Sequence, residues 1–262
     1  MHQSVDAGRK PLLDVQGVSV RFGGVKALDS VSLGVSAGEI CGLIGPNGAG
    51  KTTLFNCITR FYAIESGSIR LSGERIDALP VQRVISSGIA RTFQNLGIYP
   101  RLTVLENVLL GARHLHGGSM LGSLFRPRLT STREREARQW CGSILRDLQL
   151  ESVADHQADA LPYGTLKRVE IARAIAARPS LLLLDEPAGG LTHGEVSEFG
   201  DLVRRVRDQY GVTVLLVEHH MGLVMSLCSR LVVLHLGRNL AEGTPADIRA
   251  NPEVVSAYLG RA

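Results

Sequence analysis

Residues Gly45-Pro46-Asn47-Gly48-Ala49-Gly50-Lys51-Thr52 satisfy the spacing G-x-x-x-x-G-K-[ST], and the residue types suit a bound polyphosphate. Gly45, Gly48 and Gly50 permit backbone conformations and close approaches that a side chain would block, so successive N–H groups can turn inward toward phosphate oxygens. Lys51 supplies a mobile positive charge for the outer phosphates. The Thr52 hydroxyl suits a Mg²⁺ ligand, and Thr53 carries the loop into a helix whose N-terminal partial charge adds to the anion site. Such a pattern arises by chance in only about one chain in a hundred of this length. The segment implies a nucleoside triphosphate.

Further chemistry lies at the ends of apolar runs. Leu181-Leu-Leu-Leu-Asp185-Glu186-Pro187 is a hydrophobic strand ending in two carboxylates. Asp185 would orient Mg²⁺ or its water shell, and Glu186 would act as general base on the attacking water. Two acids after an apolar strand also fit a surface turn; the phosphate loop upstream favours the catalytic reading. Val212-Thr-Val-Leu-Leu-Val-Glu218-His219 repeats the design with a histidine at the strand end, placed to donate to a γ-phosphate oxygen. Glu218 and His220 are weaker candidates. Gln94 ends another apolar stretch, Ile89-Ala-Arg-Thr-Phe-Gln94, where an isolated Gln ordinarily belongs to a loop.

These groups need a frame. Glu39 to Ile44 reads as a short strand before the phosphate loop and Thr52 to Arg60 as the helix after it. Leu12 to Phe22 and Val31 to Val35 alternate apolar with polar residues and are bounded by Gly23-Gly24 and Ala37-Gly38, which predicts an antiparallel sheet leading into the loop. Ser180 to Leu184 and Val212 to Val217 are apolar on both faces, as buried parallel strands are. The predicted class is α/β: a P-loop NTPase core, an N-terminal antiparallel β subdomain and an inserted helical subdomain over roughly residues 98–165. In the insert, Thr103 to Leu110 and Thr132 to Leu148 are amphipathic helices flanking a Gly-, Ser-, Pro- and Arg-rich loop at 117–132. Residues 1–10 read as a mobile tail, and 11–262 as one ATPase domain.

Composition narrows the class. The chain has 262 residues, 44% of them hydrophobic, enough for a substantial core. The tail lacks the apolar stretch of a secretory signal, and the longest apolar runs are far short of a membrane span, so membrane association is expected through a partner. Cys41, Cys57, Cys141 and Cys228 show no paired metal-ligand spacing and read as buried reduced thiols. The net charge of +4 does not argue for nucleic acid, because basic and acidic residues interleave, as in Arg133-Glu-Arg-Glu-Ala-Arg138.

Taken together, these segments resemble the ATP-binding subunit of an ABC transporter over nearly the whole chain. The resemblance makes Gly45 to Thr52 the Walker A loop, Gln94 the Q-loop glutamine and a Mg²⁺ ligand, Asp185 and Glu186 the Walker B pair, and His219 the switch histidine. Ala188-Gly-Gly-Leu191-Thr192 stands as the D-loop, and Phe22 as the aromatic that stacks on adenine, against its plainer reading as a strand-end core residue. Leu161-Pro162-Tyr163-Gly164-Thr165 occupies the signature position, departing from the family's usual Leu-Ser-Gly-Gly-Gln. Tyr163, Gly164 and Thr165 would face the nucleotide of a partner subunit, with Gly164 and a helix from Thr165 to Arg178 supplying amides. Arg21-Phe-Gly-Gly24, Arg91-Thr-Phe-Gln94 and the tail Gly243-Thr-Pro to Ala257-Tyr-Leu-Gly260 are similar to the larger ATPase of branched-chain amino acid importers, and related ATPases for urea or lipopolysaccharide export share several of these features.

That resemblance implies ATP with Mg²⁺ sandwiched between two cassettes, the second favoured to be a different chain. It implies permease subunits docked at the Q-loop and helical insert, an extracytoplasmic solute-binding protein acting indirectly, and a place at the cytoplasmic face of the membrane. The rival reading is a soluble ABC-type ATPase acting on nucleic acid or ribosomes. Such proteins usually carry two cassettes or long coiled-coil or basic additions, which this sequence lacks.

Overall fold

The computed structural model describes residues 10–92, 96–113 and 127–259. The predicted tail, apart from Lys10, lies outside them, as do Gln94 and most of the loop expected at 117–132.

Two sheets form the frame. In the first, β1 (Leu13–Phe22) pairs antiparallel with β2 (Val25–Val35) and β4 (Ser66–Leu71), and the short β5 (Glu74–Arg75) completes the order β2-β1-β4-β5. The second has the order β10-β9-β3-β8-β7-β6. Its strands β3 (Ile40–Ile44), β6 (Ile89–Arg91), β7 (Leu181–Asp185), β8 (Thr213–Val217) and β9 (Arg230–His235) run parallel, and β10 (Arg238–Gly243) is an antiparallel edge.

The central strands are apolar on both faces because each face serves a different core. Ile40, Ile44, Leu182, Leu184, Val214 and Leu216 point into one cluster with the helices. Their neighbours Cys41, Leu43, Leu181, Leu183, Leu215 and Val217 point into a second cluster shared with the antiparallel sheet and Leu54, Phe55 and Ile58 of α1 (Lys51–Ile58). Period-two alternation thus makes one sheet the wall between two cores. Truncating a fully buried leucine such as Leu182 to Ala should cost about 2–5 kcal/mol.

The helical side comprises α3 (Val104–Ala112), α4 (Pro127–Asp147) and α5 (Tyr163–Ala176), with the short α2 (Val81–Val84) near β6. Thr103 and Glu106 form a capping box that starts α3. Buried Asn107 then donates its amide to the carbonyls of Tyr99 and Thr103, fixing the chain that enters the helix. Several sequence boundaries shift: β2 begins at Val25 rather than Val31, and α1 occupies Lys51–Ile58 rather than Thr52 to Arg60. α4 begins at Pro127 rather than Thr132, and the signature helix occupies Tyr163–Ala176 rather than Thr165 to Arg178, with Pro162 at its N-cap. Proline lacks an N–H, so it is well suited to the position before a helix, where no intrahelical donor is needed. The remaining α-helices among the described residues are α6 (His193–Tyr210), α7 (Met221–Leu227), α8 (Pro245–Ala250) and α9 (Pro252–Leu259).

Register decides what meets what. Leu43 of β3 and Asp185 of β7 both pair with Val217 of β8, so the three strands end level with one another. The phosphate loop, Glu186 and Glu218-His219 therefore leave the sheet at one carboxyl edge, where open α/β sheets bind ligands.

Candidate nucleotide site

Gly45 leaves β3 at φ 153°, and a Cβ there would collide with the Leu234 carbonyl oxygen. Gly50 caps α1 at φ 102°, where a Cβ would come within 2.8 Å of the Ala27 carbonyl oxygen. Both positions require glycine, and the loop they shape is held between β2 and the end of β9. Pro46 is half-buried, Asn47 and Gly48 are exposed, and Ala49 is buried beneath them. Thr52 is exposed and Thr53 half-buried on the first turn of α1.

Lys51 is buried and turned onto its own loop, its Nζ donating to the carbonyls of Gly45 at 2.7 Å and Pro46 at 3.0 Å. Desolvation holds its ammonium group below the usual lysine range, while the carboxylates of Glu186 and Asp185 pull the other way. A desolvated cation stands to gain from an incoming phosphate anion.

Asp185, 3% exposed, is ion-paired through Oδ2 with Arg91 Nη2 at 2.6 Å. Glu186 follows at φ 48°, a conformation worth about 1–3 kcal/mol of strain for a residue with a side chain. Its N–H donates to the Val217 carbonyl at 2.8 Å, which ties the turn to β8. Its Oε1 lies 2.7 Å from His219 Nε2, so the predicted base and the predicted histidine meet.

Glu218 does more than the sequence indicated. Buried to 4% exposure, it accepts from Ala188 N at 2.7 Å through one oxygen and from His219 N and His220 N at 2.7 and 3.0 Å through the other. It clamps the turn after Glu186 to the turn carrying His219. His220 instead caps α7, its Nδ1 accepting from Leu223 N at 3.2 Å. The available signal for Glu218 was a carboxylate directly after a fully apolar strand, a placement that demands partners once buried.

Phe22 is 46% exposed, edge-to-face against Tyr62 with ring centroids 5.0 Å apart. It is a surface aromatic, contrary to the plainer expectation of a strand-end core residue. Tyr163 stands over the D-loop, its hydroxyl donating to the Gly189 carbonyl at 3.1 Å. Gly164 faces Glu195, whose Oε1 would lie 2.7 Å from a Cβ at that position, and Thr165 follows half-buried. Lys51, Asp185, Glu186 and His219 thus gather at one edge, while Tyr163 and Gly164 gather with the D-loop and the start of α6. All four cysteines are free and buried, and among the described residues no cluster of His, Cys, Asp and Glu suits a metal ion.

The chain is similar to known proteins over nearly its full length. Residues 28–189 match the family described as ABC transporter, and residues 238–262 match the one described as branched-chain amino acid ATP-binding cassette transporter. The chain is 44% identical to the high-affinity branched-chain amino acid transport ATP-binding protein BraF of Pseudomonas aeruginosa, over 97% of this chain and 99% of that one. It is 43% identical to its LivG counterpart in Escherichia coli K12, again over 97% and 99%. Among solved structures, the ADP conformation of MJ1267, an ATP-binding cassette of an ABC transporter, superposes with a TM-score of 0.84 at 33% identity, covering 97% of this chain and all of that one. With a phosphate loop, an acid pair and a histidine converging on one sheet edge, and with these relatives spanning nearly its full length, the chain belongs to the ATP-binding cassette family of ABC transporter ATPases.

Proposed function

We propose that this chain is the ATP-hydrolysing subunit of an importer of branched-chain amino acids. It would work at the cytoplasmic face of the membrane beside a second ATP-binding subunit, with permease subunits and, indirectly, an extracytoplasmic solute-binding protein. The observation that carries the catalytic reading is the 2.7 Å contact between Glu186 and His219 beside Lys51 and Asp185. The solute is supported by the names of the BraF and LivG relatives and by the match over residues 238–262. The same names favour transport over action on nucleic acid or ribosomes.

In this reading the N–H groups of Asn47 to Thr52 would hold the β- and γ-phosphates of ATP, and the Lys51 ammonium would exchange its loop carbonyls for phosphate oxygens. Phe22 offers an exposed ring for the adenine. Thr52, Asp185 and Gln94 would hold Mg²⁺; hydroxyl, carboxylate and amide oxygens are the hard donors this cation takes. When bound, Mg²⁺ neutralises charge on the phosphate oxygens. Glu186 would receive the proton of the attacking water, and the His219 Nε2–H that orients the carboxylate would pass its hydrogen bond to the γ-phosphate as charge redistributes. Tyr163, Gly164 and Thr165 would complete the site of the partner subunit.

Transport needs a surface that feels this chemistry. A groove of about 990 Å³ opens between β6, α2 and the helical side, lined by Phe61, Val81, Tyr99, Leu110 and Arg173 among others. Phe61 and Tyr99 are 58% and 57% exposed, large apolar area that an amphipathic cytoplasmic helix of a permease would cover. Among the described residues no helix is long and apolar enough to cross a membrane, so such a partner supplies the pathway.

The test is reconstitution of the transporter in vesicles. Leucine-, isoleucine- or valine-loaded binding protein should stimulate ATP hydrolysis and solute uptake together. Stimulation by an unrelated solute alone would overturn the substrate, and recovery of the chain on ribosomes without a membrane partner would overturn the transport role.

A further inference from the structure

Arg91 stands at the end of β6, and its guanidinium joins three parts of the protein. Nη2 pairs with Asp185 Oδ2 at 2.6 Å, Nη1 donates to Asn56 Oδ1 at 2.7 Å and Thr59 Oγ1 at 3.2 Å on the phosphate-loop helix and its C-cap, and the group lies 5.5 Å from the Phe55 ring centroid. The Arg91 and Asp185 side chains are only 9% and 4% exposed, so the pair is little screened by water. On its other side Arg91, together with Thr59, lines the groove between β6 and the helical side. One planar fork thus connects the carboxylate assigned to Mg²⁺, the helix that follows the phosphate loop, and the wall of the groove. It also lies three residues before Gln94 in the sequence.

We infer that Arg91 is the positioning residue through which an occupant of the groove acts on the ATP site: its fork holds Asp185 and α1 in fixed relation, and a helix seated in the groove presses on the strand that carries it. The inference rests on the reading of the groove as a permease site. The charge of Arg91 offsets Asp185 next to the phosphates, and its two-sided geometry, which lysine cannot reproduce, carries the coupling.

Two variants separate charge from geometry, with fluorescent mant-ATP as probe and thermal melting as the check on folding. In Arg91→Met, Asp185 loses its counter-charge, so mant-ATP binding in EDTA should weaken by about ten-fold or more, whereas Mg²⁺ should restore it to within about three-fold of wild type. A merely structural role would weaken both alike, and that result, or no change in EDTA, overturns the inference. Arg91→Lys keeps the charge and should bind mant-ATP within about three-fold of wild type in both media. In the reconstituted transporter, however, Arg91→Lys should lose most of the stimulation by loaded binding protein. If wild type is not stimulated, the importer reading on which the inference rests fails; if wild type and Arg91→Lys are stimulated equally, the role given to Arg91 fails.

Discussion

His219 Nε2 and Glu186 Oε1, 2.7 Å apart, bridge the turns that follow two neighbouring parallel strands, so the position of the carboxylate proposed as the base depends on both turns. Glu186→Gln keeps the shape of this pair and removes its basicity. It should bind ATP normally, hydrolyse at least about a hundred-fold more slowly, and accumulate as a closed dimer on gel filtration. Lys51→Ala should instead lose nucleotide binding as well as turnover. Equal loss of ATP binding in both variants would assign Glu186 a structural role.

His219→Ala should lower kcat sharply while leaving Mg-ATP affinity within a few-fold, because a γ-phosphate contact matters most in the transition state. Steady-state kinetics beside equilibrium nucleotide binding distinguishes the two. Normal turnover would show that the backbone turn, rather than the imidazole, positions Glu186.

Glu218→Ala should be among the most destabilising single changes near the site. It leaves the N–H groups of Ala188, His219 and His220 without their acceptor, at a cost of about 2–4 kcal/mol in urea denaturation. Glu218→Gln keeps an accepting oxygen and should cost less. A loss below about 0.5 kcal/mol for the alanine variant would mean that water replaces the carboxylate.

The signature segment predicts unequal sites. Pro162 brings neither hydroxyl nor N–H, the Tyr163 hydroxyl is engaged by the Gly189 carbonyl, and the Glu195 carboxylate stands close to Gly164. Hydrogen bonds from the Thr192 N–H and then the Thr192 hydroxyl hold the Glu195 carboxyl below its ordinary range, so it is negative at neutral pH beside the helix terminus proposed to meet a phosphate. We therefore expect a heterodimer in which the site using this signature is the weaker one. Glu186→Gln and the matching change in the partner should reduce turnover unequally, and Glu195→Gln, which preserves the cap, should strengthen the weaker site. Equal effects, or a native complex with two copies of this chain, would exclude the asymmetry.

Burial pushes the thiols of Cys57 and Cys141 up to about 11 and that of Cys228 to about 12, from an ordinary value of 9.0, and raises Cys41 further. The folded chain should therefore resist alkylation at pH 8 and react at all four positions in denaturant. Because these groups hold their protons more tightly when folded, stability is intact below pH 9 and should fall as the pH rises from there through 11 to 12. Denaturation midpoints across that range measure the slope; a flat profile would count against burial as the cause.

The parts of this protein legible along the chain are those encoded at short range. The phosphate loop is eight adjacent residues, the acid pair closes an uninterrupted apolar run, and Thr103 and Glu106 announce a helix start by their spacing of three. Backbone conformation and amphipathic period act over a few residues, so both survive translation into a string of letters. Arg91, Glu218 and Tyr163 show the other case. Arg91 reaches its carboxylate across 94 residues of sequence, Glu218 its Ala188 amide across 30, and Tyr163 its carbonyl across 26. Nothing local marks those partners. For Arg91 and Glu218 they are set by the parallel register that lays β6, β7 and β8 side by side, and by burial, which obliges a charge removed from water to find whichever opposite group or N–H the packing brings near; for Tyr163, 41% exposed, they are set by the packing of α5 against the loop after β7.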